Sequence, residues 1–396
     1  MRASRTWTRG LVVGASALLL GGLTGGPAVA DGGGTGTHGG VRGRPVPGDF
    51  RAQSSTWPSP RRGWVLGTVP CPAGRCTAVA TTRDGGRTWS AVGAPPAPLA
   101  PPGEAGITKI RFADVRHGWA FGPSFYATSD GGHTWREAAP PGDGRRVLSL
   151  AADAGVVYAA VSPCALGVPP YECDKPPSVW RARVGHGKWR RVPVTLPAGT
   201  ASGVILALHQ RTAYIAMPGT AGQPDAFFAS DSGRRWSPRP SPCDKEHAEA
   251  LVDVAPMPRG RVALLCVGDV GFSKATKHVF RSTDTARTTS DAGTTPRPGI
   301  WSALAATPSG TTLAVTSVAD GSWIYRSTGD VTWATVVENL DGGAGWEDLL
   351  FTTDRNGFVV YAPAGLNGEG VLLATSDAGE TWAPVTIGPP AAGGHR

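Results

Sequence analysis

The sequence predicts an all-β fold, a seven-bladed β-propeller of four-stranded antiparallel blades, on three observations. A short turn phrase ending in Trp recurs along the chain. Its copies stand 44 to 54 residues apart, about the length of a four-stranded blade. Between copies, apolar and polar residues alternate in short runs bounded by Gly, Asp and Pro. Composition agrees: Gly (56) and Pro (36) supply turns, while 14 Trp and 40% hydrophobic residues supply a core.

The phrase is clearest as Thr82-Arg83-Asp84-Gly85-Gly86-Arg87-Thr88-Trp89, as Thr128-Ser129-Asp130-Gly131-Gly132-His133-Thr134-Trp135, and as Thr375-Ser376-Asp377-Ala378-Gly379-Glu380-Thr381-Trp382. A shorter copy runs Ser230-Asp231-Ser232-Gly233-Arg234-Arg235-Trp236, and degenerate copies occupy 185–189, 282–289 and 327–333. Asp84, Asp130, Asp231 and Asp377 are expected to accept backbone N–H groups inside a tight turn, with the following Gly at positive φ. Trp89, Trp135, Trp236 and Trp382 are then expected to pack between adjoining blades. The second repeat shows the blade: strands at 107–112, 119–121, 125–128 and 134–137, with the phrase turning the third strand into the fourth. The blade ending at Thr289 is expected to be irregular, because Thr replaces Trp there and Ala286 stands where the phrase has Gly.

These four well-formed phrases resemble the Asp-box, or BNR repeat, of sialidase-like propellers. The turn phrases Phe112-x-Asp114-x-x-x-Gly118-Trp119 and Phe351-x-x-Asp354-x-x-Gly357-Phe358 resemble those of photosystem II assembly-factor-like propellers, which share the Asp-box. The resemblance implies a propeller whose Asp-box turns lie on one face. A working sialidase would also need three Arg to clamp a carboxylate, a Tyr nucleophile activated by Glu, and a carboxylic acid as proton donor. No Arg-Ile-Pro phrase occurs near the first strand, where Phe50-Arg51 is the nearest match. Five of the six Tyr fall in predicted strands, and only Tyr171, beside Glu172, falls in a loop. The sequence therefore favours a non-catalytic binding or scaffold propeller over its alternative, a sialidase-like glycoside hydrolase, and assigns no catalytic residue.

Residues 1–30 carry Arg2, Arg5 and Arg9, an apolar run over 11–23, and Ala28-Val29-Ala30, the pattern of a secretory signal peptide cleaved after Ala30. The apolar run is shorter than the roughly 20 residues a membrane span needs. Residues 31–48 read as a Gly-rich linker, 49–388 as the propeller and 389–396 as a tail. The G-x-G-x-x-G match at Gly34, Gly36 and Gly39 has no strand before it and no helix after it, so it does not mark a dinucleotide site. Loss of three Arg reduces the formal charge from +8 to +5, and the basic residues are scattered, which excludes a nucleic-acid stripe. A secreted monomer without stable membrane insertion is expected, with a polysaccharide or an extracellular protein as ligand.

Six Cys in an exported chain favour three disulfides. Proximity selects Cys71 with Cys76, Cys164 with Cys173, and Cys243 with Cys266. A zinc set at Cys243 and His247 lacks a second ligand pair, and neither a metal nor a cofactor is expected. In the blade scheme these bridges and the longest insertions share the face opposite the Asp-boxes. That upper face places the candidate binding residues in two segments, Tyr171, Glu172, Asp174 and Lys175 in one loop, and Asp244, Lys245, Glu246 and His247 in an interblade link. The insertion at 267–277 is expected beside them.

Overall fold

The computed structural model describes residues 44–100, 105–164, 172–173, 175–200, 203–219, 223–268, 275–299, 301–318, 321–327, 329, 331–339, 344–363 and 370–389. Residues 1–43, which hold the expected signal peptide and most of the expected linker, and residues 390–396 lie outside them. The chain forms seven four-stranded antiparallel sheets, and a small separate pairing of Glu172–Cys173 with Gly199–Thr200. Blade 1 comprises Arg51–Ser59, Arg62–Cys71, Gly74–Thr82 and Ser90–Val92. Blade 2 comprises Lys109–Phe112, Gly118–Phe121, Phe125–Thr128 and Arg136–Glu137. Blades 3 to 7 begin with Arg146–Asp153, Ile205–His209, Ala250–Pro256, Trp301–Ala306 and Ala344–Phe351. A single 3-10 turn at Pro258–Gly260 is the only helical element among the described residues.

The first strands surround a central channel, and the second strands form the core of each blade. Being sandwiched between two neighbouring blades, a second strand is buried on both faces and reads as an unbroken apolar run. In blade 5 the run Val262–Val267 is buried throughout. Ala263, Leu265 and Val267 pack with Leu304 and Ala314 of blade 6. Val262, Leu264 and Cys266, on the opposite face, pack with Tyr214 and Ala216 of blade 4.

Aromatic stacks repeat at the seams. Phe358 of blade 7 stacks on Trp57 of blade 1 at 3.6 Å, and Trp57 meets the edge-on ring of Trp89 at 5.9 Å. One blade further on, Trp64 stacks on Phe112 at 4.0 Å, and Phe112 meets Trp135 edge-on at 6.0 Å. Trp236 likewise meets Tyr158 of blade 3 at 5.9 Å, and Trp382 packs against Phe351 within blade 7. The turn tryptophans therefore sit at seams or blade edges as anticipated, but Trp89, Trp135, Trp236 and Trp382 are only half-buried. The fully buried indole is Trp64, whose N–H donates to the Gly131 carbonyl of the next blade at 3.0 Å.

The turns between third and fourth strands of blades 1, 2, 5 and 7 share one construction. Asp130 accepts the Thr128 hydroxyl (2.8 Å), the Thr134 amide (2.9 Å) and the Thr134 hydroxyl (2.6 Å). Asp84 and Asp377 make the equivalent bonds. Each turn docks by a backbone bond on the turn between the first two strands of its own blade: Gly85 N on Arg61 O, Gly131 N on Arg116 O, Ala378 N on Arg355 O. Both sets of turns therefore mark one face, the lower one.

Two expectations need correction here. In the blade ending at Thr289 the turn is regular, although its outer strand pair carries a register shift between His278 and Phe280: Asp284 makes the full set of bonds with Ser282 and Thr288, and Thr285 and Ala286 take up φ of 64° and 58° where Gly stands elsewhere. Trp333 of blade 6 covers that blade instead, its indole donating to Ala292 O at 2.9 Å. Asp231 does not organise its turn. The phrase there is one residue short, which leaves its side chain exposed and 3.8 Å from Arg287, while Ser230 accepts the Gly233 amide. Ahead of Asp49, Val46 is buried and Arg44 O accepts the Ala91 amide.

Each blade is made of consecutive strands, so no strand is shared between the first and last blades. Contacts between blade 7 and blade 1 close the ring instead. They include the Trp57–Phe358 stack, Ala52 N donating to Gly370 O at 2.7 Å, and the side chain of Asp348.

Candidate functional site

All three disulfides form in the sequential pairing: Cys71–Cys76, Cys164–Cys173 and Cys243–Cys266. The register puts them on the upper face. Cys71 pairs with Gly74 at the end of the blade 1 hairpin away from the lower turns, and Cys266 lies opposite Leu251, near the start of the innermost strand of blade 5. Arg75 inside the first bridge binds the Asp49 carboxylate at 2.6 Å.

The link before blade 5 is built around a buried carboxylate that sequence reasoning missed. Asp225, buried in blade 4, accepts the Ser241 hydroxyl (2.5 Å), the Gly219 amide (2.8 Å) and the Leu251 amide (3.2 Å). Lys245 turns inward to it, 2.8 Å from Oδ1, and also donates to Glu249 O. Glu249, itself buried, accepts the Asp244 amide and lies 3.4 Å from His278, which pairs on its other side with Asp291 at 3.0 Å. Lys245 is thus a frame residue, whereas Asp244, Glu246 and His247 point outward. His247 and Asp244 pair at 2.7 Å; that bond raises the imidazole pKa and lowers the carboxylate pKa.

Tyr171 and Asp174 lie outside the described residues, as does 269–274. Glu172 begins the short Glu172–Cys173 strand, and Lys175 is exposed after it. The described polar contacts of the 240–249 link are with Asp225, with His278 and within the link itself.

The channel holds a second set of groups. Its cavity, about 440 Å³, is walled by the first strands of all seven blades, with Leu150, Leu206, Leu208, Leu304 and Leu349 among the apolar residues. Asp348 sits at a β-bulge in blade 7 with φ of 53°. Its carboxylate binds Ser54 Oγ (2.6 Å), Ser55 N (2.9 Å), Arg111 (2.5 Å) and Lys109 (3.4 Å). Burial would raise its pKa, but the Arg111 and Lys109 charges outweigh burial and hold it well below the usual carboxylate range. Lys109 pairs also with Glu347.

Asp253 occupies a bulge in blade 5. It accepts the Val254 amide and, from blade 6, the Leu304 amide, both at 2.8 Å. Burial pushes its pKa up to about 6 against those two bonds. Both acids interrupt apolar first strands, Ala250–Pro256 and Ala344–Phe351, and that interruption was the available sequence signal. The arginine lining the channel, Arg111, is engaged by Asp348. The tyrosines of the described residues pack in the blade cores and at the seams: Tyr126, Tyr158, Tyr214 and Tyr325 are buried, and Tyr361 lies against Trp346. A larger groove of about 750 Å³ opens on the lower face, lined by Arg61, Arg83, Arg87 and Asn356.

No family model and no curated protein matches the chain. Solved structures do. The β-propeller domain of the trilobed protease from Pyrococcus furiosus, described as having an open velcro topology, aligns at 6% identity and TM-score 0.52 over 86% of this chain and 99% of that one. An ancestral GH74 enzyme aligns at 12% identity and TM-score 0.52 over 85% of this chain, which spans only 45% of the enzyme. YCF48 bound to D1 peptide aligns at 19% identity and TM-score 0.45 over 69% of this chain and 79% of that one. At these identities the likeness to the first two shows the fold, and this chain is a seven-bladed β-propeller.

Proposed function

We propose that this protein is a secreted, non-catalytic binding propeller whose disulfide-tied upper face meets an extracellular polysaccharide or protein. The observation that carries this reading is the 240–249 link, which holds Asp244, Glu246 and His247 outward on a frame fixed by the Cys243–Cys266 bridge and the Asp225–Lys245 pair. Exposed polar side chains on a rigid support suit recognition, because little conformational freedom is lost on binding. Export is supported by the three bridges, which form in oxidising compartments. The lower turns are read as Asp-boxes on the bonds of Asp84, Asp130 and Asp377, and their role is structural.

The test is a screen of the exported protein against cell-wall polysaccharides and secreted proteins, followed by the triple substitution Asp244→Ala, Glu246→Ala and His247→Ala. Loss of the captured ligand with an unchanged melting temperature is expected. Retained binding removes the upper link as the site. In parallel, a fluorogenic sialoside is expected to show no turnover; turnover abolished by Glu172→Gln overturns the non-catalytic reading. N-terminal sequencing of the exported chain is expected to begin at Asp31, and a start at Met1 counts against the signal peptide.

A further inference from the structure

Charges around the central channel do not balance. Lys109 and Arg111 are matched by Glu347 and Asp348. Asp253 is the carboxylate left over: its bonds are to two backbone amides, and no cation lies within ion-pair distance among the described residues. It lines the same cavity as Arg111 and Asp348. Two further polar atoms on that wall, Ser55 Oγ and His209 Nε2, are buried without a hydrogen-bond partner among the described residues. A half-buried carboxylate and buried polar atoms without partners are costly unless something neutralises and bonds them.

We propose that the channel binds a small organic monocation, an alkylammonium or alkylguanidinium, through the Asp253 carboxylate. Each carboxylate oxygen has one amide bond and retains lone-pair capacity for an N–H donor. The remaining wall, with Leu150, Leu206 and Leu304, suits a short aliphatic tail. The cavity volume lies at the small end of the roughly 300–1,000 Å³ range of small-molecule sites. A hard metal ion fits poorly, since calcium takes about six to eight oxygen ligands, and the described residues contain no group of three or more His, Cys, Asp or Glu able to hold a metal.

The experiment is calorimetric titration of the full chain at pH 7.5, where Asp253 is ionised, with n-butylammonium chloride as the probe. Ammonium chloride, 1-butanol, sodium butyrate and calcium chloride are titrated separately. Saturable binding of one butylammonium per chain is expected, weakened about tenfold or more in Asp253→Asn. Ala207→Phe, at a position that lines the cavity and leaves the Asp253 carboxylate chemically intact, is expected to weaken binding similarly, so the idea stays testable should Asp253→Asn fail to fold. Equal binding by Asp253→Asn, binding of 1-butanol as tight as that of the amine, preference for calcium, or no saturable binding by the folded protein overturns the proposal.

Discussion

A single carboxylate organises each regular lower turn, and the two aspartates at 130 and 231 show how much depends on one residue of spacing. Asp130 reaches three donors at once. The burial that would raise its pKa is outweighed by the hydroxyl and amide of Thr134 and the hydroxyl of Thr128, which hold it at about 2. Asp231, in a phrase one residue shorter, reaches solvent and Arg287. Asp130→Ala is expected to cost about 1–2 kcal/mol through lost turn hydrogen bonds, and Asp231→Ala no more than about 0.5 kcal/mol, as for an ordinary surface change. Urea denaturation at pH 7 checks both. The pH dependence follows from the sign of the shift. A carboxylate with a lowered folded pKa stabilises fully above its unfolded value near 4, and that contribution is lost as pH falls through about 2. The gap between wild type and Asp130→Ala should therefore narrow between pH 4 and pH 2, and a gap independent of pH would show that the carboxylate charge is not what holds the turn.

Among the elements, the second strand carries most of the packing, and its aromatics outrank those of the turn phrase. Trp64 is 1% exposed, stacks on Phe112 and bonds the next blade. Trp135 is half-buried and meets Phe112 only by its edge, although its indole also reaches back to Gly93 O at 2.9 Å. Trp64→Ala is expected to cost about 3–5 kcal/mol, as for a large buried side chain. Trp135→Ala is expected to cost less, about 1–3 kcal/mol, because less of its surface leaves water on folding. Equal losses on chemical denaturation would place the two rings in the same energetic class and refute the ranking by burial.

For the whole molecule, the consequential feature is closure without a shared blade. Asp348 bridges Ser54 and Ser55 of blade 1 and both cations of blade 2 from its bulge in blade 7. Removing it leaves Lys109 and Arg111 with reduced compensation in a partly desolvated place. Asp348→Ala is expected to destabilise the protein by about 3–5 kcal/mol, in the range for breaking a buried pair on one side. Asp348→Asn, which retains an acceptor for Ser54 and Ser55, should be milder. A melting temperature unchanged in Asp348→Ala would show that the aromatic stack and backbone contacts alone close the ring.

The seven-fold period, the strand-to-strand order and the disulfide pairing were legible in the chain itself, since each is a local matter. Turn residues recur at blade length, apolar runs such as Val262–Val267 mark strands buried on both faces, and each Cys pairs with a neighbour in sequence. The upper-face position of the bridges followed from strand direction alone. Contacts between distant residues could not be read this way. Nothing local distinguishes Lys245, which turns inward to Asp225, from the neighbouring Glu246, which faces solvent, and nothing local marks Asp348 as the partner of residues 237 positions away at Arg111. Asp253 and Asp348 are alike in sequence, each an acid within an apolar strand; only the closed ring brings two cations to one and leaves the other with backbone amides. The period of the chain determines the fold because it repeats the same local instruction in every blade, while the charges that distinguish one blade from another acquire their meaning only when the seven blades meet around the channel.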